Sequence, residues 1–196
     1  MYPVNEIFHS LQGEGFYTGT ASVFVRLSGC NLRCAFCDTR HEPHTMMSLP
    51  QIVAEVNRYP TAPLLVLTGG EPALWVDAEL VKALKTLTGK RIAIETNGTR
   101  PLPPGIDWVT LSPKGGFPGG DVQPCVLREC DELKVVYTGQ DLSKYDTIGA
   151  HHRFLQPCYC NDERQRQANV VATVAAVMAH PQWRLSLQTH RLLGIQ

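Results

Sequence analysis

The stretch Leu64-Leu65-Val66-Leu67 is a continuous apolar run that stops at Thr68-Gly69-Gly70-Glu71-Pro72. A short unbroken apolar run reads as a strand buried on both faces. The plan recurs: apolar or alternating, β-prone runs stand at 4–8, 22–27, 91–95, 107–111, 133–137, 153–155 and 184–187, and polar or glycine-rich residues follow them. Helix signals lie between some of these strands. Ser48 and Gln51 have the form of a capping box ahead of Ile52, Val53 and Val56, and Leu80, Val81, Leu84 and Leu87 recur at helical spacing. A long helix is expected at about 164–180, carrying Val171, Val174, Val177 and Met178 and stopped by Pro181.

Strands alternating with helices predict a parallel sheet with crossover connections. A full eight-unit barrel takes about 250 residues. This chain has 196, and clear helix signals follow only some strands, so the expected fold is α/β: a partial, open TIM-type barrel of parallel strands with fewer than eight βα units, in one domain spanning 1–196. In such folds the residues just after the strands meet at one rim and build the binding site.

Composition narrows the function classes. Basic and acidic residues balance at 18 each with no like-charge run, which argues against a nucleic-acid track and for a small-molecule partner. The first residues lack the basic and apolar regions of a signal peptide, and no apolar run reaches the roughly 18 residues of a membrane span. The expected location is the cytoplasm.

Seven cysteines is an odd number, and Cys30, Cys34 and Cys37 crowd one loop too closely for mutual disulfides. Their Cys-x3-Cys-x2-Cys spacing presents three soft thiolates without a fourth, so a metal group held there keeps an open coordination position. Two readings stand at this point: an iron-sulfur cluster, or a closed zinc site completed by His41. Cys125, Cys130, Cys158 and Cys160 read as small buried hydrophobes.

With this spacing, Phe36 before the last cysteine and Gly69-Gly70-Glu71-Pro72 one strand later, the chain resembles the radical S-adenosylmethionine enzymes. The resemblance narrows through Leu11-Gln12-Gly13-Glu14-Gly15, Cys37-Asp38-Thr39, Glu95-Thr96-Asn97-Gly98-Thr99, Ser112-Pro113-Lys114 and Gln188-Thr189-His190-Arg191. Over nearly its full length the chain looks like the 7-carboxy-7-deazaguanine synthase family.

The resemblance implies a radical lyase that contracts 6-carboxy-5,6,7,8-tetrahydropterin to 7-carboxy-7-deazaguanine with loss of ammonia, on the way to queuosine. Cys30, Cys34 and Cys37 would hold three irons of a [4Fe-4S] cluster and leave the fourth for S-adenosylmethionine. Around that cofactor it places Phe36, Asp38, Gly69, Gly70, Glu71, Thr96, Asn97, Ser112, Pro113, Lys114 and Gln156. To the substrate it assigns Leu11, Gln12, Gly13, Glu14, Arg26, Thr68, Gln188 and His190, with Arg26 facing the carboxylate. Thr39 is the magnesium position. A one-electron reductant protein such as flavodoxin or ferredoxin, and a homodimer, are implied as well. Two other readings remain at this stage, a glycyl-radical-activating type of radical enzyme and a zinc-stabilised binding module.

Overall fold

The computed structural model describes residues 1–37, 39, 42–115 and 123–196. Asp38, His41 and the loop at 116–120 lie outside the described residues. The chain runs β1 (Tyr2–Leu11), β2 (Ala21–Leu27), β3 (Thr45–Met47), α1 (Leu49–Asn57), β4 (Leu64–Gly69), α2 (Ala78–Thr88), β5 (Arg91–Thr96), β6 (Trp108–Leu111), β7 (Glu129–Tyr137), β8 (Gly149–Pro157), α3 (Glu163–Ala179), β9 (Arg184–Leu185) and α4 (Thr189–Leu193). Among the described residues one sheet contains every strand, in the order β3-β1-β2-β4-β5-β6-β7-β8-β9. From β2 onward each neighbour is parallel, while β1 pairs antiparallel with both β2 and β3. The sheet is open, as expected, with β3 and β9 at its edges.

Local sequence accounts for the helices. In α1 the Gln51 side chain accepts from the Ser48 backbone N–H at 2.7 Å, and Ile52, Val53 and Val56 form its buried face. The Asp77 carboxylate caps α2 by accepting from Leu80 N at 2.8 Å, and Gly89 ends that helix in the left-handed conformation. Asp162 caps α3 in the same way.

Burial follows the two-residue period of the strands. Val23, Val25, Leu27, Leu65, Leu67, Ile92 and Ile94 pack with Leu80, Val81, Leu84 and the buried face of α1 into the larger core. Leu111, Leu133, Val135 and Leu155 pack with Ala176 and Trp183 into a second core. The intervening residues face the other side of the sheet, where Phe24, Leu64, Val66, Ala93 and Trp108 cluster.

Several elements differ from expectation. The first strand extends through Ser10 and Leu11, so the loop starts later. The strand expected at 153–155 runs from Gly149 to Pro157 and contains Gln156. The last strand stops at Leu185, and a short helix, α4, follows Gln188. In α3 the buried residues are Thr173 and Ala176, whereas Val171, Val174 and Met178 face outward. Cys125 and Cys130 pack partly buried against the second core, and Cys158 and Cys160 are half-buried.

Candidate active site

The inner face of the sheet is divided along the strand direction. Its N-terminal half is apolar and aromatic: Phe24, Val66, Ala93 and Trp108, with Phe8 stacked on Phe24 at 4.8 Å between ring centroids. Two residues further along the same strands, the inward positions become Arg26, Thr68, Glu95 and Thr110, and β7 and β8 contribute Lys134 and Gln156. A cavity of about 510 Å³ stands over this polar tier.

Cys30, Cys34, Cys37 and Phe36, on the loop after β2, line one wall of the cavity, and Thr39 lines it too. A turn with Cys37 N donating to Cys34 O at 3.0 Å sets the last two cysteines. The loop is pinned to the end of β4, where Glu71 N donates to Gly29 O at 2.9 Å and Gly70 N to Leu27 O at 3.2 Å. A Cβ at Gly70 would sit 2.2 Å from Gly29 O and 2.8 Å from the Cys30 Cβ, so only glycine lets the two segments close into one wall. Three thiols on one cavity wall, free of disulfides, fit a cluster that takes one thiolate per iron. Gly69, Gly70, Thr96, Asn97, Ser112, Lys114 and Gln156 line the same cavity, within a single chamber shared with the thiols.

A second part of the lining comes from the two ends of the chain. Gln12, Gly13 and Glu14 follow β1, and α4 docks against them: Thr189 N and Thr189 Oγ1 both donate to Gly13 O, at 2.9 and 3.0 Å. Gln188 Nε2 donates to Glu14 Oε1 at 2.8 Å. A Cβ at Gly13 would lie 2.1 Å from His190 Nδ1, so that glycine is required by the tail it receives. Arg26 reaches the cavity with its Nε donating to Glu6 Oε1 at 2.7 Å.

Beneath these walls, Lys134 Nζ donates to Glu14 Oε2 at 2.6 Å and to Glu95 Oε2 at 2.9 Å, with its side chain only 6% exposed. Burial alone would raise the Glu14 carboxyl, but the Lys134 ammonium and hydrogen bonds from Lys134 and Gln188 outweigh it and hold it at about 2. Glu95 goes the other way: burial, with Glu132 and Glu14 nearby, pushes it up to about 7 despite Lys134. Burial also lowers Lys114, whose ammonium donates to Ser112 Oγ at 2.7 Å.

Nearly all the residues singled out from the sequence therefore reach one cavity. Glu71 and Pro113 do not line it. Glu71 is 1% exposed and accepts from Thr96 Oγ1 and Asn97 N, both at 2.7 Å, and from Ala73 N at 2.9 Å, so its carboxylate braces the rim from behind. Sequence reasoning missed Glu6, Glu95, Lys134, Tyr159, Arg191 and Gln196 as lining residues. For Glu95 and Lys134 a signal existed: a charged residue inside a strand buried on both faces needs a partner or a task.

Comparison with known proteins agrees with this geometry. Residues 24–130 match the model of the radical SAM superfamily, more than half of the chain. The chain is 55% identical over 196 residues to a 7-carboxy-7-deazaguanine synthase of Bacteroides thetaiotaomicron, covering 100% of both. The chain belongs to the 7-carboxy-7-deazaguanine synthase family. A synthase of that name from Bordetella pertussis is 39% identical over 217 residues and covers 99% of each chain. The crystal structure of QueE from Escherichia coli superposes with a TM-score of 0.75 at 30% identity, covering 95% of this chain and 93% of that one. Membership makes the chain a radical S-adenosylmethionine lyase with a [4Fe-4S] cluster and S-adenosylmethionine as cofactors. The glycyl-radical-activating and zinc-module readings are set aside by these matches, and the zinc reading also required His41, outside the described residues. Among the described residues no helix is long and apolar enough to cross a membrane.

Proposed function

We propose that this cavity contracts 6-carboxy-5,6,7,8-tetrahydropterin to 7-carboxy-7-deazaguanine with release of ammonia, a step toward queuosine. The observation that carries the reading is that two groups of residues line one chamber: three thiols with a glycine edge, and Gln12 to Glu14 held by Gln188 and Thr189 with His190 beside them.

When bound, the cluster and S-adenosylmethionine would supply the radical chemistry that starts the reaction, drawing one electron from an external reductant. Cys30, Cys34 and Cys37 would hold the cluster. Phe36, Asp38, Gly69, Gly70, Thr96, Asn97, Ser112, Lys114 and Gln156 would surround S-adenosylmethionine, and Glu71 and Pro113 would steady that edge from behind. The aromatic floor of Phe8 and Phe24 keeps water and stray hydrogen donors away from the reacting carbon.

On the substrate side, Gln12, Glu14, Gln188, His190 and the backbone at Leu11 and Gly13 read the amide and amino pattern of the pterin, with Thr68 adding a hydroxyl. Arg26 takes the carboxylate by exchanging its bond to Glu6 for one to the ligand. Thr39, which lines the cavity, would offer a neutral oxygen to magnesium beside the substrate carboxylate, and the ion would help orient that carboxylate as a Lewis acid. Glu95 adds an acceptor that the sequence reading did not assign.

The reductant is a small one-electron carrier of the flavodoxin or ferredoxin kind, and the enzyme works in the cytoplasm. A homodimer is supported by the outward apolar side chains of α3, where Val171 is 60% and Met178 80% exposed. Light scattering of the purified protein checks the dimer.

The deciding experiment incubates anaerobically reconstituted, chemically reduced enzyme with S-adenosylmethionine, magnesium and the carboxytetrahydropterin. Mass spectrometry is expected to find 7-carboxy-7-deazaguanine and ammonia in equal amounts. A fully loaded enzyme that cleaves S-adenosylmethionine but forms no deazaguanine would overturn the proposal.

A further inference from the structure

Lys134 is the feature that the assigned roles leave over. It stands on the inner face of β7, nearly buried, between carboxylates delivered by two other parts of the chain: Glu14 from the loop after β1 and Glu95 from β5. A single buried carboxylate would have been enough to neutralise it.

Among the described residues the four carboxylate oxygens are each held by one protein donor. Glu14 Oε2 and Glu95 Oε2 accept from Lys134, Glu14 Oε1 accepts from Gln188, and Glu95 Oε1 accepts from Gln12 Nε2 at 3.3 Å. Each carboxylate oxygen has two acceptor directions, so one stays available on every oxygen while the carboxylate planes are fixed. Both glutamates line the cavity.

We propose that Lys134 is a positioning residue for the substrate: its ammonium clamps Glu14 to Glu95, so that the pair presents aligned acceptors to the N–H groups of a flat aminopyrimidinone ring. This rests on the substrate reading given above. With two carboxylates and one ammonium the cluster favours N–H donors and disfavours anions, so the carboxylate of the ligand is directed away from it toward Arg26. The arrangement sets which end of the ring faces which wall. Lysine suits the task because one compact ammonium offers three donors and can bond two carboxylates from different strands.

The surrounding charges fix the sign of the pH effect. Glu132 lies two positions before Lys134 on β7, Lys114 follows β6, and His190 of α4 acts on Glu14. Removing the Lys134 charge leaves Glu14, Glu95 and Glu132 near one another, with Lys114 and His190 as basic neighbours among the described residues. Their carboxyls then hold protons to higher pH.

The test uses the reconstituted holoenzyme in four forms, Lys134→Met, Lys134→Arg, Glu14→Gln and Lys134→Met combined with Glu14→Gln, beside the unaltered chain. Cluster absorbance and substrate-free S-adenosylmethionine cleavage report whether the rest of the site is intact. For Lys134→Met we expect both to be retained, KM for the carboxytetrahydropterin to rise by roughly thirtyfold, and the acid limb of kcat/KM to move to higher pH. Lys134→Arg restores most of the affinity and returns the limb. Adding Lys134→Met to Glu14→Gln costs much less than adding it to the unaltered chain, because the clamp acts through Glu14. An unchanged KM and acid limb in Lys134→Met, or full additivity with Glu14→Gln, overturns the inference. So does loss of cluster and cleavage in both Lys134→Met and Lys134→Arg, which makes Lys134 a part of the scaffold. Failure of the unaltered chain to form any deazaguanine would instead strike the substrate reading itself, so the two failures are distinguishable.

Discussion

Gln188 donates its side-chain amide to Glu14 at 2.8 Å, across 174 positions of sequence. The bond closes the site between the loop after β1 and the start of α4, and it leaves Glu14 oriented before any ligand arrives. Replacing Gln188 with alanine removes one of the donors that hold this carboxylate. A lost partner at a buried acceptor costs about 1–3 kcal/mol, so KM for the substrate is expected to rise by roughly five- to a hundredfold with cluster content unchanged. Steady-state kinetics alongside iron and sulfide analysis checks it.

Cys30→Ala, Cys34→Ala and Cys37→Ala each remove one thiolate from the cavity wall. Each is expected to abolish S-adenosylmethionine cleavage and to deplete iron. Cys125→Ala and Cys130→Ala, on residues packed against the second core, are expected to keep the cluster and to act only through stability, which iron content and a urea titration separate.

Thr39→Ala is expected to weaken the magnesium dependence and turnover while cluster absorbance stays at the level of the unaltered chain. Titrating magnesium against product formation measures this. Loss of the cluster would assign Thr39 a structural part instead.

Glu95 is raised to about 7 by burial and by neighbouring carboxylates. Below that value it carries a proton and loses acceptor capacity; above it the ionised form accepts the N–H groups of the ring. The ratio kcat/KM is therefore expected to climb as pH passes through about 7, and this ionisation is expected to vanish in Glu95→Gln. A pH profile of both forms decides it.

Glu71→Ala deprives the Thr96 hydroxyl and the backbone N–H groups of Ala73 and Asn97 of their acceptor. A loss of about 3 kcal/mol or more is expected, read as a lower urea midpoint with little change in slope. Cofactor affinity should fall as well, because Thr96 and Asn97 line the cavity.

The strands and the rim were legible because each leaves a local mark. Leu64 to Leu67 is apolar throughout and the glycine pair follows at once, and both facts survive in the fold as β4 and the pinned edge at Gly70. What eluded the sequence has longer range. β3 is three residues paired to the start of β1, and nothing in Thr45-Met46-Met47 announces a partner more than forty residues back. The outward face of α3 has the same spacing as an inward one, since periodicity names a helix and its apolar stripe but not what covers the stripe. Glu71 looked like a cofactor contact from its motif, yet it lies behind the cavity wall and accepts from three donors that only the fold brings near it. Lys134 read as an ordinary strand residue because the identity of its partners, Glu14 and Glu95, depends on three strands and a loop meeting.

The alternation of the inner face also limits how a chain of this kind can change length. One residue added within β2, β4, β5 or β7 would reverse every side chain beyond it, sending Arg26, Thr68, Glu95 or Lys134 into the apolar cores and turning leucine and valine toward the cavity. Single insertions and deletions are therefore confined to the connections outside the strands, and the strand segments can accept substitution but not a shift in count.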